Sequence, residues 1–288
     1  MSPLDSFLEQ AWNDHVGDAS AVAARLPAGV PLALDDDGVM RLAALAHHVL
    51  GEHLGRWAEG LAFLAQLAER DANGAGAAAA IVRCRASLRL CGGGGADERG
   101  AMAPSDQCRV TAMAAANLAV RDSARAATLL QEGVARAGVL PDADPAVRAV
   151  AANANGIAAT LQELAPLAPA QRELMLSAAA AARVQWQRAG TWLEVERAEY
   201  RLALCWLAAG DAAQALQHAR RCDAIVRENG TLPLELFFAA EALGLPAHAL
   251  GDGAGHAAAV TAARQAFDAL PPNDQVWCRA TLDKLIAP

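Results

Sequence analysis

The 288-residue chain is 54% hydrophobic but only 4% aromatic, so alanine and leucine supply most of its apolar surface and favour closely spaced helices over strands. Its formal charge of −8, with basic residues scattered along the chain, gives a phosphate backbone no cationic track to follow; even Arg83, Arg85 and Arg89 are dispersed around a helix. Arginines such as Arg83 and Arg183 cut the alanine-rich runs far short of the ~20 apolar residues a spanning helix needs, which argues against membrane insertion.

Apolar periodicity and punctuation predict about fourteen helices. Their spans are 3–15, 18–26, 36–54, 56–70, 75–91, 105–120, 122–137, 144–165, 169–189, 192–209, 211–228, 233–249, 254–269 and 272–286. The first carries Asp5, Glu9 and Asp14 without a basic lead into an apolar stretch, unlike a secretory signal, and a cytoplasmic protein is expected. Ser2 before Pro3 and Asp144 before Pro145 place a capping oxygen ahead of a proline whose missing N–H costs nothing in the first turn.

Asp35, Asp36, Asp37 and Gly38 lack the alternating ligands and final glutamate of a calcium loop, and complement a helix N-terminus instead. The densest polar cluster follows: His47, His48, Glu52 and His53, residue types suited to metal or acid–base chemistry. At ~100° per α-helical residue the three histidines spread around the axis and do not converge on one ion. Only His48 and Glu52 share a face; His47, His48 and Glu52 therefore stand as a candidate polar pocket, and no metal ligand set is assigned.

The segment 92–104 opens with Gly92, Gly93, Gly94 and Gly95 and reads as a flexible loop between N-terminal hairpins at 1–91 and C-terminal hairpins at 105–288. It lacks the Gly-Lys-Ser/Thr of a phosphate loop. Further on, Asn117, Asn153 and Asn155 interrupt helices that do not favour them, which suits groove-lining contacts or exposed faces equally. Thr191 and Glu194 form a capping box directly after Gly190, so two helices meet almost without a linker and must run antiparallel. The six cysteines include no Cys-x-x-Cys and no nearby histidine, and read as buried apolar residues. No nucleophile elbow or phosphate loop is present, and no cofactor is implied. Lys284 is the single lysine; with the alanine excess, this is the composition of a GC-rich bacterial gene.

Residues 200–226 carry a repeat signature. Leu202, Ala203 and Trp206 take large, small and large places on one helix, Gly210-Asp211 makes a turn, and Ala215, Ala219 and Cys222 put small residues where the next helix crosses. This pattern resembles a tetratricopeptide repeat. Weaker copies run through Gly55-Arg56-Trp57-Ala58-Glu59-Gly60-Leu61, where His47 and His48 replace the family's leucine and small residue, and through Met113, Ala114, Arg121-Asp122, Ala126 and Leu130. Ala259, Ala263, Ala266 and Pro271 look like half of another unit. The strict match covers about one third of the chain, the helix-pair pattern nearly all of it.

The resemblance implies an all-α, right-handed α-α superhelix (a solenoid) of about seven antiparallel helix pairs. It further implies a non-catalytic scaffold or adaptor that binds a protein or peptide in its concave groove. On that reading Arg197, Tyr200 and Arg201 face the groove, the two arginines offering paired N–H donors to a carboxylate, and Trp206 lies in the core. The alternative for Arg197 is a solvated face on which it pairs with Glu194. Two other functional readings remain open: a ligand-sensing or enzymatic domain with its pocket at His47, His48 and Glu52, and a homo-oligomer in which a second subunit caps an exposed end, a homodimer in the simplest case.

Overall fold

A computed structural model describes residues 2–70, 73–164, 166–230 and 232–287, and every regular element among them is helical. The chain forms two compact units that divide between Leu140 and Pro141, so the glycine-rich segment lies inside the first unit. None of the helices among the described residues is long and apolar enough to cross a membrane.

The first unit holds α1 (Pro3–Asp14), α2 (Ala19–Gly29), a 3-10 turn (Val30–Leu32), α3 (Asp36–Ala46), a π-helical turn (His47–His53), α4 (Trp57–Ala68), α5 (Ala75–Cys91), α6 (Ala96–Gly100), α7 (Pro104–Leu118) and α8 (Ser123–Gly138). The expected caps form: Ser2 and Asp5 close a capping box on α1, and the Asp35 side chain accepts from the Gly38 N–H at 2.8 Å. Leucines and valines of α1 to α5, among them Leu8, Leu26, Leu42, Leu50 and Leu64, make one core.

Two departures from the expected elements matter. The predicted single helix over 36–54 widens into the π turn, with Leu54 N–H donating to the Val49 carbonyl at 3.0 Å and Arg56 N–H to Leu50 at 2.7 Å. The turn rises close against α5 and α7, where a Cβ on Gly51 would stand 2.8 Å from a Leu88 methyl. The segment 92–104, expected as an irregular loop, contains α6. Here Gly95, at φ +75°, starts the helix, and Arg99 ties it down by bonding Glu132 at 2.9 Å and the Thr111 hydroxyl at 3.0 Å.

The second unit holds α9 (Pro145–Gln162), α10 (Pro169–Ala189), α11 (Trp192–Ala208), α12 (Ala212–Asn229), α13 (Pro233–Ala249), α14 (Gly253–Asp268) and α15 (Pro272–Ile286). Each packs on the next in sequence, and alternate helices also touch in succession, α9 on α11, α11 on α13 and α13 on α15. Small residues make this double contact possible: Ala203, Ala219 and Ala242 meet in one buried cluster joining α11, α12 and α13. At the turn before α12, Gly210 takes φ +89° and the Asp211 side chain accepts from the Gln214 N–H at 2.9 Å. Trp206, expected in the core, is only half-buried.

All six cysteines are free and buried. Burial pushes the Cys84 and Cys205 thiols up to about 12 and that of Cys91 up to about 11, so they behave as apolar side chains.

Candidate functional site

Arg197, Tyr200 and Arg201 come together, as their spacing on α11 predicts, in a recess of about 360 Å³ in the second unit. Asn155 of α9, Glu235 and Phe238 of α13 and Trp277 of α15 complete its walls, so the recess runs along the row of alternate helices. Its aromatic side is continuous: Tyr200 and Phe238 meet edge-on at 5.5 Å between ring centroids, and Phe238 and Trp277 at 5.4 Å. Trp277 is 64% exposed, a large apolar surface left in water.

The polar groups of the recess differ in how far they are satisfied. Arg197 does not pair with Glu194; its Nη2 lies 2.5 Å and its Nε 3.3 Å from the two oxygens of the buried Glu235. Burying that carboxylate without a cation would be costly, which is why the guanidinium is drawn to it. Glu194 is occupied elsewhere, accepting from Thr191 N–H at 2.8 Å and Arg148 at 2.9 Å; the Thr191 bonds bring its carboxyl down to about 2. Tyr200 donates its hydroxyl proton to Glu241 at 2.7 Å, and burial raises the pKa of both.

Arg201 is different. Its Nη1 donates to the neutral Gln162 amide oxygen at 2.7 Å, its buried Nε has no hydrogen-bond partner, and among the described residues no carboxylate stands within ion-pair distance. Deeper in, Glu196 is pushed up to about 8, first by burial and then by the neighbouring Glu235, while Cys222 donates to one of its oxygens at 2.8 Å. Asn155 lines the recess, whereas the Asn153 amide bonds back to the Ala149 carbonyl at 2.8 Å.

The histidine cluster lies in the first unit. His47 and His48 part company there: His47 turns into the core, its Nε2 2.7 Å from the Ser87 hydroxyl and 3.1 Å from the Asn117 amide, and burial lowers its pKa to about 4. His48 bonds Glu52 through Nδ1 at 2.8 Å, as the one-turn spacing predicts. The expected divergence of His48 and His53 does not hold, because a π turn has more than four residues per turn and brings positions five apart onto one side; their Nε2 atoms are 3.0 Å apart. His15, just beyond α1, joins them, with ring centroids 5.0 Å from His48 and 4.9 Å from His53. Its contribution carries no local sequence signal, since it is distant along the chain.

Arg121 fixes this turn from α7's end, donating to the Glu52 carbonyl at 2.7 Å and to that of His53 at 2.6 Å. Burial raises the Glu52 carboxyl, but the hydrogen bond from His48 and the imidazoles around it outweigh that and leave it below its ordinary value. No protein-family model matches this sequence, and neither a curated protein nor a solved structure matches it.

Proposed function

We propose that the chain is a non-catalytic, tetratricopeptide-like scaffold whose second unit binds a protein segment bearing a carboxylate, in the recess on α9, α11, α13 and α15. The observation that carries this reading is the position of Arg201: a cation that feels the Glu241 carboxyl but has no carboxylate within ion-pair distance among the described residues, beside an aromatic wall of Phe238 and Trp277. Arginine and tryptophan are the side chains that most often dominate binding energy at protein interfaces. The tetratricopeptide resemblance supports the same choice, because in that family the first helix of each pair lines the binding groove.

Arg201 is then the primary anion contact. Arg197, already committed to Glu235, shapes the recess and contributes only if a ligand carboxylate competes for its remaining N–H groups. Tyr200, turned toward Glu241, supplies a ring edge rather than a free hydroxyl.

The test is quantitative capture of native partners by the tagged full chain from cells that express it. Arg201→Gln, which removes the charge, should lower recovery of a specific partner at least tenfold, while Arg264→Gln on the exposed face of α14 leaves it unchanged. Equal recovery by both variants, with circular dichroism confirming that both fold, contradicts the reading.

A further inference from the structure

We propose that His15, His48 and His53 bind one divalent late transition cation of the Zn²⁺ class through their imidazole nitrogens. The site lies in the first unit and does not depend on the groove. One ring nitrogen from each of the three histidines lies within 4.8 Å of the other two, and no other group of three such ligands is that close among the described residues. In a tetrahedral zinc site the nitrogens stand ~3.3 Å apart, which is near the 3.0 Å between the Nε2 atoms of His48 and His53.

The hydrogen bonds behind His15 and His48 favour tautomers whose inward nitrogens can act as ligands. His15 Nδ1 lies 2.6 Å from the Trp12 carbonyl, which can only accept, so that nitrogen carries the proton and Nε2 is left as the ligand atom. His48 is arranged in the same way by the Glu52 carboxylate. A carbonyl or carboxylate behind each imidazole is the usual support of a metal-bound histidine, fixing its tautomer and ring orientation. His53 Nε2 stands within hydrogen-bond distance of His48 Nε2, at 3.0 Å, and a bound cation would take the place of the proton shared there.

The supports are tied into the fold by several bonds. The π turn that brings His48 and His53 together is held by Arg121 on its last carbonyls and by His47 in the core, and the Trp12 ring packs 5.2 Å from His15 and 5.1 Å from His48. Three imidazoles suit Zn²⁺, Co²⁺, Ni²⁺ or Cu²⁺, not the oxygen-seeking Mg²⁺ or Ca²⁺. His53 is exposed, so water can complete the coordination. Bound metal would pin the end of α1 to the π turn and stabilise the folded chain by mass action.

Metal-stripped full-length protein is titrated with Zn²⁺ against a chromophoric chelator, and with Co²⁺ for its visible absorption. The expected result is one Zn²⁺ per chain and the intense bands of four-coordinate Co²⁺. His15→Ala or His53→Ala should weaken Zn²⁺ binding at least a hundredfold; neither removes a core side chain, and the His53 carbonyl that holds Arg121 is retained. Glu52→Gln should weaken it about 10- to 100-fold through His48, and His256→Ala, in the other unit, should leave it unaltered. Zn²⁺ should raise the melting temperature of the wild type and not of His53→Ala. Absence of a saturable one-to-one site, or a site retained in both His15→Ala and His53→Ala, overturns the proposal.

Discussion

Glu196 shows how a single side chain links this fold to solution conditions. It is 1% exposed, and its folded pKa of about 8 stands well above its ordinary value of 4.5. Between those two values the folded chain keeps a proton that the unfolded chain has released, so this residue's contribution to stability falls as pH rises, by up to ~1.4 kcal/mol per pH unit. Below the lower value both states are protonated and the effect vanishes. Urea unfolding between pH 5 and 8 should therefore show Glu196→Gln gaining on the wild type as pH increases, because the amide needs no proton. Parallel pH profiles for the two proteins would contradict a neutral Glu196. Glu199 behaves oppositely: burial raises its carboxyl, yet bonds from His218 at 2.7 Å and Arg183 at 2.9 Å outweigh it and hold it below its ordinary value. None of these pairings is legible from residue spacing, since Glu196 and Glu199 meet partners on other helices, as does Arg197, which bonds Glu235 rather than the alternative partner Glu194 one turn away.

At the scale of elements, the caps and turns were the readable part. Prolines at helix starts, Asp211 after Gly210 and the Thr191–Glu194 box act within a few residues, so their physics is present in the sequence itself. The π turn was not readable, because its period is imposed by packing. Gly55, which ends it at φ +62°, tests how firmly: a Cβ there would stand 2.2 Å from the Arg121 Nε, whose guanidinium holds the turn's carbonyls. Gly55→Ala combines a left-handed backbone that alanine resists, at roughly 1–2 kcal/mol, with disturbance of those bonds, at roughly 1–3 kcal/mol. Denaturant unfolding should record a loss of about 2–5 kcal/mol from the two together; a loss of no more than about 1 kcal/mol, within the backbone cost alone, would show that Arg121 does not constrain the turn. α6 is hidden in the sequence for a similar reason, as the four glycines before it mask a short helix that Arg99 holds from outside its own turn.

For the whole molecule, alanine-rich periodicity was sufficient to expect an all-helical chain of hairpins, because close helix crossings need small residues wherever they occur. The candidate groove was half legible. Arg197, Tyr200 and Arg201 lie on one predicted helix, but Trp277 is far along the chain, on a helix whose role depends on α13 bringing it alongside. That tryptophan offers the most direct test of the central claim, that the recess is a protein-binding surface. Replacing it with the photo-reactive p-benzoylphenylalanine in the native cells and irradiating should yield a discrete covalent adduct with a partner, lost when Arg201→Gln is added. Irradiation that leaves this position free of adducts, or adducts indifferent to Arg201, would contradict it.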